Sequence, residues 1–296
     1  MAGSLSRPLR LGTRGSPLAL AQAHMVAEAL CAAHVWDADA VEIVPITTSG
    51  DRIQDRPLAE VGGKMLWTKE LDRCLLHGRT DLSVHSMKDV ETIRPAELVV
   101  AAMLKRADPR DRIVGAASVE ALSHEARVGT SSPRRRAQLL ARRPDLDIVP
   151  IRGNVQTRLA KLDRGEADAT LLAAAGLDRI GFGGIGSPLD DIIPAPSQGA
   201  IGVELLVGNC AVRALVEAID CTGTHRCVAA ERAFLAELGG DCRSAVAAHA
   251  KGGVLTAEIL TPDGTEVQRG QDADPSELAR ALLARASPEL RAMYAG

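Results

Sequence analysis

Aromatic side chains are nearly absent from this chain: Phe, Tyr and Trp together make up 2% of its 296 residues. Binders of single-stranded nucleic acid stack bases on such rings, so composition argues against that class. Long apolar runs are missing too, and nothing reaches the roughly 18 residues of a membrane span. Near the N-terminus, "PLALAQAHMVAEALCAA" is interrupted by Gln22, His24 and Glu28, as on an amphipathic helix, and makes no export signal. Disulfide spacing is lacking among the six cysteines, Cys31, Cys74, Cys210, Cys221, Cys227 and Cys242. A chain of this length needs no such staples, so reduced thiols and a cytoplasmic setting are expected. Lysine is scarce, since 29 of the 35 basic residues are Arg, and the net charge of −3 argues against a general polyanion binder.

What is present is ample apolar material, 46% of the chain, for cores of Ala, Leu, Val and Ile. The length suggests two or three domains. "LRLGT" (9–13) reads as a strand followed by a helix that Ser16 caps and Pro17 opens. "VEIVPITT" (41–48), "DLSVH" (81–85) and "LVVAAM" (98–103) read as further strands, with a helix over "TKELDRCLLHG" and a loop over 49–64. After the charged crossing "KRADPRDR" (105–112) a second alternation begins, with strands "ARVGT", "DIVPI" and "DATLLA" and helices "SPRRRAQLLARR" and "NVQTRLAKLDRG". "GTRGSP" (12–17) and "GTSSP" (129–133) repeat one strand-to-helix device, which suggests two sister α/β domains with a cleft between them. A linker, "PAPSQGAIGVELL", leads to a helix over "THRCVAAERAFLAEL", strands "SAVAAHA" and "VLTAEIL" and a last helix, "PSELARALLARA", the content of a small α+β domain.

Charge is unevenly spread: residues 105–179 carry a net +5. In "TSSPRRR", Arg134 and Arg135 fall in a helix's first turn, where cations oppose the dipole at about 0.3–1 kcal/mol each. A bound anion would reverse that; a solvated basic face is the plain alternative. Arg152 in "IRGN" and Arg14 before Ser16 stand at strand ends, where parallel α/β sheets take ligands, and Arg158 follows one turn on. Together they suggest a cleft for a ligand with several carboxylates. "VHSMKDV" (84–90) puts Lys88 and Asp89 at the same edge, Asp89 being the carboxylate available for proton handling or for stabilising a cation. "GFGGIG" (181–186) has the letters of a dinucleotide fingerprint without its strand and helix, and reads as a loop. "CTGTHRC" (221–227) is a poor zinc pattern, with Thr224 better used as a helix cap and Cys227 facing the core; no metal is expected. In "ELGGDCRSAV", Cys242 is open to readings as a packed thiol, a metal ligand, a disulfide half or a nucleophile, with Arg243 favouring its thiolate and Asp241 opposing it.

Taken in order, "TRGSPLALAQAH", "GGK" (62–64), "VHSMKDV", "DPRD", "VGTSSPRR", "RRPDL", "RGNVQTRLAKLD", "AGLDRIG", "QGAIGVE" and the loop cysteine resemble the porphobilinogen deaminase (hydroxymethylbilane synthase) family over roughly residues 9–245. The resemblance implies an α/β fold of two similar periplasmic-binding-protein-like (type II) domains plus a small C-terminal α+β domain. The boundaries expected are 1–104 completed by 195–220, 105–194, and 221–296. It implies a cytoplasmic, monomeric transferase that joins four porphobilinogen molecules with loss of ammonia on a covalent dipyrromethane, then hydrolyses off hydroxymethylbilane for haem biosynthesis. Cys242 would carry the dipyrromethane through a thioether, and Asp89 would be the catalytic carboxylate. Ser86, Lys88, Thr130, Ser132, Arg134, Arg135 and Arg158 would hold the cofactor. Arg14, Ser16, Gln22, Arg152 and Arg179 would receive the substrate or stabilise the growing chain. Porphobilinogen and polypyrrole intermediates would be the ligands, with transient hand-over to the next enzyme, and no nucleic acid or membrane is expected. The chain departs from the family pattern at Asp241, at the "RSA" after Cys242, at Trp67 and at Met65. Two other classes compete: an anion-binding protein without chemistry, which would use the arginine cleft but has no need of Asp89 or Cys242, and an enzyme using Cys242 as a turnover nucleophile, which would want a His base that the sequence does not obviously place.

Overall fold

The computed structural model describes residues 7–48, 68–240 and 244–294. Cys242, Asp241, Arg243, Trp67, Met65 and the "GGK" of 62–64 lie outside the described residues. The chain divides into two compact units, 1–107 with 200–225 and 108–199 with 226–296.

In the first unit, β1 (Leu9–Arg14) leads to α1 (Pro17–His34), whose first turn is closed by Ser16 Oγ accepting from the Ala19 N–H. Then come β2 (Val41–Ile46), α2 (Lys69–Leu76), β3 (Leu82–Ser86) and β4 (Leu98–Met103). The last strand, β10 (Ile201–Leu206), arrives from the far end of the chain and is followed by α6 (Cys210–Val216). The sheet order is β2-β1-β3-β10-β4, with β1 parallel to β2 and β3 and with β10 antiparallel to both its neighbours. Leu11, Leu30, Leu82, Val203 and Leu205 are fully or almost fully buried in its core, without any aromatic ring among the buried members.

The second unit opens with β5 (Asp111–Val114), β6 (Arg127–Gly129), α3 (Pro133–Arg142), β7 (Asp147–Val149), α4 (Val155–Asp163), β8 (Ala169–Ala173), α5 (Ala174–Arg179) and β9 (Ser187–Leu189). Its order, β7-β6-β8-β5-β9, repeats the first sheet: three parallel strands, one antiparallel strand, one edge strand. The antiparallel member is in each case the first strand after the chain enters that unit, β5 after residue 108 and β10 after residue 200. This is a pair of similar five-stranded α/β sheets.

Helix α7 (Thr222–Glu237) then leads to an antiparallel sheet of β11 (Val246–Lys251), β12 (Val254–Leu260) and β13 (Val267–Asp272), covered by α8 (Pro275–Arg285) and α9 (Pro288–Ala292). The β11–β12 hairpin turns on Gly252 and Gly253, both at positive φ (59° and 83°), as a two-residue primed turn requires. Phe234 and Tyr294 are the aromatic rings buried in this part, with Leu255, Ile259 and Leu282 in the same core. Glu231, wholly buried on α7, accepts from the Ser197 N–H (2.6 Å) and the Ala250 N–H (2.8 Å), tying the helix to both segments.

One close approach positions the site described next. A side chain at Gly202 on β10 would run into the Met87 thioether, with Met87 Cγ 3.0 Å away. Met87 is 1% exposed and begins the turn after β3. Gly202→Ala is expected to lower stability by about 1–3 kcal/mol through overpacking. Urea unfolding checks this, and Met87→Ala in the same chain should return part of the loss. A Gly202→Ala variant as stable as the parent overturns the account.

Candidate functional site

The C-terminal ends of β1 and β3 lie side by side because both strands run parallel, and ligand chemistry in such sheets gathers there. Arg14 ends β1, and Ser86 ends β3. A short 3-10 turn, Met87–Asp89, follows and sets Asp89 half-buried at that edge. Arg14, Ser86 and Asp89 line one small pocket with Ala19, Thr68, Val84, His85 and Val90. Gln22 on α1, 3% exposed, stands behind Ser86: its Nε2 donates to Ser86 Oγ (2.8 Å), whose hydroxyl returns to Gln22 Oε1 (2.9 Å). Ser16 uses its hydroxyl as the α1 cap, and Lys88 lies within the turn between Met87 and Asp89.

Behind the pocket wall sits a buried charge network. Glu204, in the middle of β10, is 0% exposed. It takes a bidentate pair from Arg94 (Nε and Nη2, both 2.8 Å), while His85 Nε2 lies 3.1 Å away in a close contact rather than an aligned hydrogen bond. Burial pushes the Glu204 carboxyl up, but His85 and Arg94 outweigh it and hold the group at about 2. Asp72, also on Arg94 (2.6 Å), is raised, because its desolvation exceeds what the guanidinium returns. Composition and spacing did not single out this network. Its signal was the lone carboxylate in the apolar strand "IGVELL", since a buried charge demands a partner.

In the second unit, the ends of β6 and β7 are neighbours. Thr130 Oγ1 accepts from the Ser132 N–H (3.1 Å), and Ser132 caps α3 by accepting from the Arg135 N–H (3.4 Å). Asn154 caps α4 through the Thr157 N–H (2.8 Å), and Arg158 Nε donates back to Gly153 O (2.9 Å), with Arg152 in the same turn. Arg134 and Arg135 point inward. Both grip Asp111, the wholly buried first residue of β5, at 2.8 and 2.7 Å. Burial would raise the Asp111 carboxyl, but the two guanidiniums hold it well below the usual carboxylate range. Gln198 Nε2 donates to the same carboxylate (2.8 Å), Arg135 Nη1 to Leu171 O and Arg134 Nη1 to Gln138 Oε1. The anion that compensates cations in the first turn of α3 is therefore a residue of the chain, and two guanidiniums to one carboxylate leave a positive surplus under that helix start. Arg179, at the end of α5, donates through Nη2 to Gly199 O (2.7 Å), while its Nε is buried with no hydrogen-bond partner among the described residues. Burial lowers its value to about 10, so it stays cationic at neutral pH.

These donors suit an anionic, multi-carboxylate group: a guanidinium with a buried unused N–H, a helix start with surplus positive charge, and strand-end hydroxyls. In the first unit, Asp89 lines the same pocket as Arg14 and offers a carboxylate acceptor there. Among the described residues no cluster of three or more His, Cys, Asp or Glu is arranged for a metal ion. Cys227 packs against the C-terminal core, and His225 Nδ1 contacts Asp220 (2.8 Å). Helix α7 begins two residues before Thr224, so Thr224 lies inside its first turn. Its hydroxyl donates to Cys221 Sγ (3.4 Å), and that bond with nearby backbone N–H groups lowers the thiol's value.

Residues 9–214 match the family described as "Porphobilinogen deaminase, dipyromethane cofactor binding domain", and residues 225–291 match "Porphobilinogen deaminase, C-terminal domain". The chain is 57% identical to a porphobilinogen deaminase of Sphingopyxis alaskensis, covering 97% of both chains. It is 49% identical to that of Paracoccus denitrificans, over 96% of this chain and 94% of the other. Among solved structures it is similar to an ABC transporter periplasmic substrate-binding protein of Coxiella burnetii (TM-score 0.43, 16% identity, covering 76% of this chain and 96% of that one). That likeness is too remote to bear on function.

Two outcomes follow from the buried carboxylates. Glu204 ionises below its ordinary value of 4.5, at about 2, so its contribution is complete above pH 4.5 and is lost as pH falls through about 2; Asp111 acts in the same sense. The thermal midpoint should drop across that interval, and a flat midpoint overturns the assignment. Asp111→Asn strands two buried guanidiniums and should cost about 3–5 kcal/mol in urea unfolding. A variant within about 1 kcal/mol of the parent contradicts it.

Proposed function

Because the chain belongs to the porphobilinogen deaminase family, whose domain binds a dipyrromethane, we propose that its chemistry runs from the pocket at the ends of β1 and β3, with Asp89 as catalytic carboxylate. The observation that carries this reading is one small pocket lined by both Asp89 and Arg14. Porphobilinogen bears an acetate, a propionate and an aminomethyl group on a pyrrole. Arg14 takes a side-chain carboxylate of the substrate, and Asp89 accepts the pyrrole N–H. When the carbon–nitrogen bond breaks, ammonia leaves with the electron pair and positive charge spreads onto the ring nitrogen. The fixed carboxylate of Asp89 stabilises that charge without reorganising. Dipyrromethane, when bound, supplies the terminal pyrrole carbon that forms the new carbon–carbon bond. Asp89 would be the acceptor at hand for the proton released as that bond forms. Four such transfers and a final attack by water give hydroxymethylbilane, so the enzyme is a transferase.

Cys242 is the attachment point in this reading. Ser86, Lys88, Thr130, Ser132 and Arg158 hold the acetates and propionates of the cofactor, and Arg134 and Arg135, turned inward onto Asp111, serve the cofactor through the surplus positive charge beneath the start of α3. Ser16, Gln22, Arg152 and Arg179 serve the incoming substrate, Gln22 by fixing Ser86 and Arg179 by its unused Nε. No described helix is long and apolar enough to cross a membrane. The enzyme works as a monomer in the cytoplasm, handing its product to the next enzyme. The three-part division at 1–104 with 195–220, 105–194 and 221–296 belongs to the same reading.

The test is the intact mass of purified protein beside Cys242→Ser, before and after incubation with porphobilinogen. Excess mass of two linked pyrroles in the parent and none in the variant supports the reading, and no adduct even after incubation overturns the Cys242 assignment. Asp89→Asn should keep the adduct and lose at least about 100-fold in turnover. Undiminished turnover would remove Asp89 from the mechanism.

A further inference from the structure

Arg94 lies in the segment between β3 and β4, and each of its N–H groups has an acceptor. Nε and Nη2 hold Glu204 (2.8 Å each), Nη2 also reaches Asp72 (2.6 Å), and Nη1 reaches Glu91 (2.8 Å) and Thr68 Oγ1 (3.3 Å). Five donors meet five acceptors, the full capacity of a guanidinium. Thr68 Oγ1 donates in turn to the same Glu91 oxygen (2.9 Å). Three carboxylates around one buried arginine is a poor way to gain stability, since each loses its hydration. The raised value of Asp72 records that cost.

What the network does accomplish is geometric. Asp89 is bracketed by two fixed points. Upstream, the Met87 N–H donates to Ala200 O (3.1 Å) and the Met87 side chain sits on Gly202. Downstream, Glu91 is pinned by Arg94 and Thr68, and Arg94 is itself locked onto Glu204. Both fixed points therefore end on β10 or the residue before it. Asp89, Val90 and Thr68, which all line the pocket, lie within the bracket or form part of it.

The geometry points to Glu91 and Arg94 as positioning residues for Asp89, a clamp that sets the reach of the catalytic carboxylate into the pocket. This rests on the reading of Asp89 given above. Removing Arg94 would strand three carboxylates and threaten folding, so the test uses Glu91, whose side chain is 22% exposed.

Holoenzymes carrying Glu91→Ala, Glu91→Gln and Asp89→Asn are compared with the parent for kcat and KM with porphobilinogen, thermal midpoint and cofactor content by intact mass. Glu91→Ala should lower kcat about tenfold and leave KM within about twofold, with cofactor content and midpoint near the parent's. Glu91→Gln returns an acceptor oxygen to Arg94 and Thr68 and should recover kcat to within about threefold of the parent. The clamp is overturned if Glu91→Ala keeps parental kcat, or if the Gln variant falls as far as the Ala variant. Asp89→Asn separates the two ideas. If it retains turnover, the reading of Asp89 fails; if it is inactive while Glu91→Ala is unaffected, only the clamp fails.

Discussion

One buried carboxylate organises each of the two five-stranded sheets, and each stands on the strand that enters its sheet from the other unit. Asp111 opens β5 and gathers Arg134 and Arg135; Glu204 sits within β10 and gathers Arg94 and the His85 contact. A strand that arrives from far along the chain has few local constraints on its register, and slipping one residue would turn its apolar set to the wrong face. A buried charge that must meet its partners forbids that slip. The gain is in specifying one pairing rather than in net stability, because desolvating both partners offsets much of their attraction.

The scarcity of aromatic rings makes this device more consequential. Cores of Leu, Val, Ile and Ala fill space well but distinguish weakly between nearby packings, whereas a guanidinium with all its donors engaged admits one arrangement. The same networks also reach the candidate site residues. In the first unit the Glu204 network ends on Glu91 and Thr68 at the Asp89 pocket. In the second, Asp111 holds the first turn of the helix that Ser132 caps and that Thr130 precedes.

Much of this was legible in the sequence where local chemistry decides it. Ser16–Pro17, Ser132–Pro133 and Asn154 cap their helices, and the glycine pair at 252–253 turns its hairpin. The matched strings, "VHSMKDV" among them, led to the family before any fold was drawn. Strands β5, β9 and β13 were missed for a physical reason: "DRIV", "SPL" and "VQRGQD" carry charges, proline or glycine that read as loop until a neighbouring strand supplies the pairing. The arginines of "SPRRR" read locally as a solvated basic face or an anion grip, and their buried pairing with Asp111 was not legible because Asp111 lies more than 20 residues away in the chain. Thr224 read as a cap because the thiol of Cys221 was not weighed for that place. Lone charges inside apolar strands were the overlooked clue.

A division of labour among the carboxylates explains why the pocket needs the network behind it. A group that stabilises positive charge in a reacting ring must be held in place yet keep its charge available, and a guanidinium gripping it directly would satisfy one need and defeat the other. Placing the guanidinium's grip on Glu91, two residues from Asp89, resolves the conflict. Glu204, Asp72 and Glu91 absorb Arg94 completely, and the backbone of the Met87–Glu91 segment transmits the constraint. On the proposed reading, Asp89 is then aimed by its neighbours rather than gripped by a guanidinium. The antiparallel strand that completes the sheet thereby becomes the support of the carboxylate at the sheet's edge.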